Sequence, residues 1–213
     1  MLDCWNDEAK RLMDQAAELL ALDDIILTDG MIQQLKFHVE LIQKWNRIVG
    51  LVSKGDVDKL WERHVVDSLS VAAVIKRIGL HEGHLLDIGS GGGFPAIPIK
   101  TVIPRLTVTM IERSVDKVGF LRKVLSSLSQ SGISVFHGNF PCVGVDFTPQ
   151  LVTARAVEKP YRLRSPILGL LNSRSTLILQ ANAPLPQCKN ISVHDQWSHG
   201  GARRSQLWLV TMD

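Results

Sequence analysis

Four glycines fall within five residues in Leu85-Leu86-Asp87-Ile88-Gly89-Ser90-Gly91-Gly92-Gly93-Phe94-Pro95. An apolar run, a glycine cluster and then a helical stretch read as a buried parallel strand that turns into a helix. Chains do this where backbone must pass close to a bound nucleoside, because side chains there would occupy the ligand's space. The spacing narrows the choice. A dinucleotide fold uses Gly-x-Gly-x-x-Gly with pyrophosphate on the helix N-terminus. Counted from Gly89 the third glycine position holds Phe94, and counted from Gly91 it holds Ala96. No Gly-Lys-Ser/Thr follows, which excludes a nucleoside-triphosphate loop.

What remains is Asp-x-Gly-x-Gly-x-Gly, from Asp87 to Gly93. This is the loop pattern of a class I S-adenosylmethionine methyltransferase, in which no pyrophosphate needs cradling. An ordinary tight turn in an α/β domain is the alternative that the glycines alone leave open. Glu112 ends the next apolar run, about twenty residues on, where a carboxylate can accept from ribose hydroxyls. The same placement suits NAD, and a surface carboxylate beside Arg113 is the plainer reading. Pro95 is tolerated in the first helical turn, where backbone N–H groups lack partners anyway, and Pro98 limits how that helix starts.

Other reactive side chains are weaker candidates. His64 lies in Arg63-His64-Val65-Val66-Asp67-Ser68-Leu69, which looks helical and sets Asp67 and Ser68 at i+3 and i+4. It is read as a joint between helices and sheet rather than as a general base. Trp45 and Trp61 lie on apolar helical stripes and are assigned to the core rather than to base stacking. No side chain is nominated as catalytic.

The elements that must hold these residues fall into two regions. Apolar residues at Trp5, Ala9, Leu12, Met13, Ala16, Leu19 and Leu20 have helical spacing. With Asp29 as N-cap, a second helix runs on through Met31, Ile32, Leu35, Val39, Ile42, Trp45 and Val49. A third pattern starts at Asp56 and is broken before Val71 to Ile78. After His84 short apolar runs at 85–88, 106–111, 133–136, 151–153, 177–179 and 207–210 alternate with helical stretches, the best being Val115 to Leu128. Alternation of this kind implies a parallel sheet covered on both faces. Gly200-Gly201 before the last run fits a hairpin-like return. The expected architecture is α/β, a Rossmann-like methyltransferase sheet over 64–213 behind an N-terminal helical cap over 1–63.

Composition bounds the class. The chain has 213 residues, 45% of them hydrophobic, which suits a globular unit with its own core. No apolar run approaches a membrane span, and the acidic N-terminus lacks the pattern of a signal peptide. Cys4, Cys142 and Cys188 are odd in number and form no Cys-x-x-Cys pair. They point to a reducing cytoplasm and away from structural zinc. The net charge is only +3, so a nucleic-acid partner must be met by local basic patches. A monomer is expected.

Six blocks in order carry a resemblance. They are Trp45-Asn46-Arg47, Leu51-Val52-Ser53, Arg63 to Leu69, the glycine loop with Phe94-Pro95, Lys117-x-x-Phe120-Leu121, and Ala154-Arg155-Ala156. On them the chain resembles the RsmG family, formerly called glucose-inhibited division protein B, from about Phe37 to Arg155. The resemblance implies a bacterial methyltransferase that uses S-adenosyl-L-methionine to modify N7 of a guanine in the decoding-region loop of 16S ribosomal RNA. It implies cofactor contacts at Gly89, Phe94 and Arg155. Where the family usually has an Arg-x-Glu-type segment near the adenine, this chain has Gly138-Asn139-Phe140-Pro141, which makes Asn139 and Phe140 the candidates. Where many members carry Lys-Gly after strand five, Gln180-Ala181 stands. The cofactor-binding set expected is thus Gly89, Gly91, Gly93, Phe94, Glu112, Asn139, Phe140 and Arg155, with no metal and no membrane.

Basic residues at Lys117, Arg122 and Lys123, and at Lys159, Arg162, Arg164 and Arg174, are ordinarily solvated. On the rim of strand C-termini they could also hold RNA phosphates. Two rival classes stay open from sequence: a methyltransferase for a protein or small molecule, and a binding module that kept the fold without turnover.

Overall fold

The computed structural model describes residues 4–142, 145–154, 166–167, 169–171, 175–181, 190–195 and 206–211. It opens with helix α1 (Asp7–Ala21) and helix α2 (Asp29–Val49). Asn6 caps α1 by accepting from the Ala9 amide at 2.9 Å. The N-cap of α2 is Thr28, not Asp29: Thr28 is extended and its hydroxyl accepts from the Met31 amide. The one-residue shift leaves Asp29 in the first turn, where a negative charge favours the positive end of the helix. Gly50 ends α2 in the left-handed conformation, with φ +66°, that glycine adopts without penalty.

A 3-10 turn (Lys54–Lys59) leads through a π-helical turn (Trp61–Val66) into α3 (Asp67–Arg77). The chain therefore does not break before Val71. A π turn inserts an extra residue, so the apolar stripe drifts in sequence while the helix continues. Trp61 is buried and packs edge-on against Trp5 with ring centroids 5.0 Å apart. Trp45 packs against the core and lies tilted to Phe120. Trp61 is a core residue and Trp45 packs partly buried against the core, as their spacing suggested.

From His84 strands and helices alternate: β1 (His84–Ile88), α4 (Ala96–Val102), β2 (Thr107–Glu112), α5 (Val115–Leu128), β3 (Ile133–His137), β4 (Leu151–Ala154) and β5 (Thr176–Ala181). Strands β6 (Asn190–Asp195) and β7 (Gln206–Thr211) complete one sheet of order β3-β2-β1-β4-β5-β7-β6. The first five are mutually parallel, and β7 runs antiparallel between β5 and β6. The sequence reading gave six of the seven strands. It missed β6, whose Ile191 and Val193 are isolated among polar neighbours.

Strand alternation divides the core. Leu85, Val108, Met110, Leu151 and Ile178 join one apolar cluster with α1 to α5. Leu86, Ile88, Ile111, Val152 and Leu177 join a second with Phe140, Ile167 and Leu171. The order places the switch point between β1 and β4, where ligands collect beyond the strand C-termini in open α/β sheets.

Candidate cofactor and active site

The glycine loop leaves β1 at that switch point. Gly89 and Ser90 amides both donate to the Ile111 carbonyl, at 2.8 and 3.3 Å, which ties the loop's start to β2. The Gly93 amide donates to the Ser90 carbonyl at 2.7 Å, closing the turn. Gly89, Gly91 and Gly93 all have positive φ, at +75°, +54° and +90°. Their surroundings separate their roles. A Cβ on Gly93 would lie 2.4 Å from Ile97 Cδ1 and 3.2 Å from Leu121 Cδ2, so this glycine faces protein. Gly89 is exposed, and a Cβ on Gly91 would meet nothing nearer than 3.8 Å. The open face of the loop is therefore Gly89 and Gly91.

Glu112, at the end of β2, is 5% exposed and accepts from the Gly91 amide at 2.8 Å and from the Ser114 amide at 2.9 Å. It is not a surface carboxylate. Each oxygen that accepts one backbone N–H keeps a further lone pair for a hydroxyl. Open backbone beside an acceptor carboxylate fits the nucleoside of S-adenosylmethionine. Across the sheet, Thr153 Oγ1 donates to buried Asp87 at 2.7 Å and fastens the tip of β4 to that of β1.

Phe94 is buried between two histidines. The ring of His38, from α2, stacks on it at 4.7 Å and the ring of His64 tilts against it at 4.9 Å. The structure thus brings a residue of the helical segment to the loop that sequence reasoning did not single out. His38 falls between Leu35 and Ile42 on the buried stripe of α2, and a polar residue in that stripe was the available signal. Burial lowers its pKa to about 4, opposed by the contact of its ring with the Gly92 carbonyl. His64 is held by its helix: Ser68 Oγ donates to its backbone carbonyl, and its Nε2 lies 3.8 Å from Asp56. Asp56 accepts from Ser53 and Arg63, each at 2.7 Å.

Asn139 is exposed after β3, while Phe140 is 6% exposed and packs in the second apolar cluster. Arg155, Lys159, Arg162, Arg164, Arg174 and Cys188 lie outside the described residues. Arg122 and Lys123 are exposed on α5, and Lys117 is half-buried. A cavity of about 600 Å³ bordered by Cys4, Arg11, Gln43, Lys59 and Trp61 shares no lining residue with the glycine loop. Among the described residues no group of three or more His, Cys, Asp or Glu could hold a metal, and no helix is long and apolar enough to cross a membrane.

The family model for rRNA small subunit methyltransferase G matches residues 31–190, a span that includes most of α2, the glycine loop and Glu112. The chain belongs to this family. It is 32% identical to the ribosomal RNA small subunit methyltransferase G of Streptococcus pneumoniae over 92% of this chain and 88% of that one. It is 30% identical to the protein of the same name from Leuconostoc citreum, over 82% and 76%. A crystal structure of an MtNAS mutant in complex with S-adenosylmethionine shares the fold over 96% of this chain and 95% of that one, with TM-score 0.59 at 15% identity. The sheet is that of a Rossmann-like class I methyltransferase, and the methyltransferase G family implies S-adenosylmethionine as donor.

Proposed function

We propose that this chain methylates N7 of a guanine in the decoding-region loop of 16S ribosomal RNA, with S-adenosyl-L-methionine as donor. The observation that carries the reading is the family match across residues 31–190, which spans a loop open at Gly89 and Gly91 beside Glu112.

Bound there, S-adenosylmethionine would supply an electrophilic sulfonium methyl. Guanine N7 offers an in-plane lone pair and carries no proton at neutral pH, so no group must remove one before attack. The chain's task is orientation, which in well-aligned systems is worth up to about 7–11 kcal/mol. Gly89 and Gly91 would let backbone approach the nucleoside, and Glu112 would accept from its ribose hydroxyls. Gly93 closes the loop, Phe94 anchors it, and Asn139 and Phe140 would border the adenine side. Arg155 would hold the cofactor's carboxylate or a substrate phosphate, for which a guanidinium fork is suited.

The helical segment 1–63 acts as a cap on this site, and Arg122 and Lys123 contribute to an RNA-facing rim whose contacts weaken with salt. An unstacked loop nucleotide is the natural acceptor because it can be presented edge-on. The working partner is the 16S RNA or small subunit, in the cytoplasm, with the enzyme a monomer that needs no metal. The test is to incubate the protein with labelled S-adenosylmethionine and small-subunit RNA and to map N7-methylguanine. Label in one guanine of the decoding-region loop is expected. Label only in protein or small-molecule fractions overturns the reading.

A further inference from the structure

His38 is a buried group that the proposed chemistry does not use. It has no solvent exposure, and its Nε2 lies 2.7 Å from the carbonyl oxygen of Gly92, 54 residues away in sequence. A carbonyl only accepts, so Nε2 must carry the proton; the other neutral tautomer would set two lone pairs against each other at that distance. Nδ1 is then a buried acceptor with no hydrogen-bond partner among the described residues. Such an atom is costly to bury, and the contact made by the ring's other nitrogen offsets that cost.

That nitrogen fixes one peptide. The Gly92–Gly93 unit gives its carbonyl to His38 and its N–H to the Ser90 carbonyl at 2.7 Å. Rotation of the peptide would break both bonds. Ile42, one turn further along α2, closes the same place: a Cβ on Gly92 would lie 2.8 Å from its Cδ1. The His38 ring also lies on Phe94, the next residue after the glycines.

We propose that His38 is a positioning residue for the cofactor loop: its Nε2–H bond to Gly92 sets the Gly92–Gly93 peptide so that Gly89 and Gly91 stay open to the nucleoside. A helix outside the sheet thereby sets cofactor affinity. The inference rests on the reading of Gly89–Gly93 as the S-adenosylmethionine loop. Burial keeps the ring neutral, and so a single fixed donor, at neutral pH.

The test opposes packing to hydrogen bonding in the full-length chain, by calorimetric titration of S-adenosylmethionine with melting temperatures measured alongside. His38→Phe keeps an aromatic ring against Phe94 but removes the donor. His38→Gln loses the ring but carries an amide N–H near the place of Nε2. The dissociation constant is expected to rise roughly tenfold in His38→Phe and to stay within about threefold of wild type in His38→Gln. A merely structural role predicts the reverse order, and that order overturns the proposal. Should His38→Phe fail to fold, nitrogen-15 NMR of the wild-type imidazole decides: protonated Nε2 is expected, and protonated Nδ1 overturns it. Wild-type protein that binds no S-adenosylmethionine overturns the loop reading itself, an outcome visible before any variant is made.

Discussion

The Gly91 amide donates to the Glu112 carboxylate across 2.8 Å, and this bond joins the glycine loop to the end of β2. The glycine loop follows β1 and Glu112 ends β2, with the whole of α4 between them. Through its second oxygen Glu112 also holds the Ser114 amide, just before the first residue of α5. One carboxylate therefore orders two turns around the place proposed for the ribose.

Glu112→Ala leaves both amides without their acceptor. Hydrogen bonds to a charged acceptor contribute about 1.5–3 kcal/mol each, so a loss of a few kcal/mol in stability is expected, together with a large loss of cofactor affinity. Glu112→Gln keeps one acceptor oxygen but turns an NH2 toward the other amide, and should fall between. Chemical denaturation and calorimetric titration on the same samples check this. Unchanged affinity in a folded Glu112→Ala protein would remove Glu112 from the site.

The glycines should separate by what a methyl group meets. Gly93→Ala sets a Cβ 2.4 Å from Ile97 and imposes φ +90° on an alanine, so it should destabilise by about 1–3 kcal/mol. Gly91→Ala meets no atom nearer than 3.8 Å, and its φ of +54° costs about 1–2 kcal/mol. The expectation is that Gly93→Ala loses mainly stability, while Gly91→Ala loses cofactor affinity out of proportion to its melting temperature. Equal ratios of the two losses would contradict the division of roles.

Stability should fall as pH drops below the ordinary histidine range. The pKa of His38 is lowered to about 4 in the folded chain from 6.5, so the unfolded chain binds the proton first. Its contribution is fully present above about pH 6.5 and is lost toward pH 4, at about 1.4 kcal/mol per pH unit. Burial lowers the pKa of His84, which therefore acts in the same direction in this window. Asp56 joins only below its ordinary 3.8: burial raises its pKa, but hydrogen bonds from Ser53 and Arg63 and the nearby positive charges outweigh burial and lower it. His38→Phe should flatten the slope between pH 6.5 and 4 without abolishing it. Urea denaturation across that range measures both slopes, and an unchanged slope in the variant would contradict the burial of a neutral ring.

How far the sequence could be read depended on the separation of the contacts involved. The turn after β1, the place of Glu112 at a strand end and α5 were legible because strand runs, glycine spacing and a 14-residue apolar periodicity are local signals. The π-helical turn was misread as a break because one inserted residue shifts every later apolar position. β6 was missed because two apolar residues are too few to show alternation. The clamp on Phe94 was invisible for another reason. His38 and His64 come from segments 56 and 30 residues before it, and no periodicity reports which buried faces meet. The distinct needs of Gly91 and Gly93 were hidden likewise, since only packing against Ile97 and Leu121 tells them apart.

The absence of a general base from the proposed chemistry has a kinetic signature. His64 is the histidine that a base mechanism would choose, because its ring lies against Phe94 at the loop and 3.8 Å from Asp56. A base of that kind would make the single-turnover rate rise about tenfold per pH unit up to its pKa. With N7 as acceptor nothing is deprotonated, so the rate at saturating cofactor and RNA should change little between pH 6 and 8. His64→Ala should cost roughly 1–3 kcal/mol of stability through lost packing. Assayed below its melting temperature, it should keep the same flat profile at a lowered level. A wild-type profile that climbs through the histidine range and flattens only in His64→Ala would assign the proton to His64, and would require an acceptor other than guanine N7.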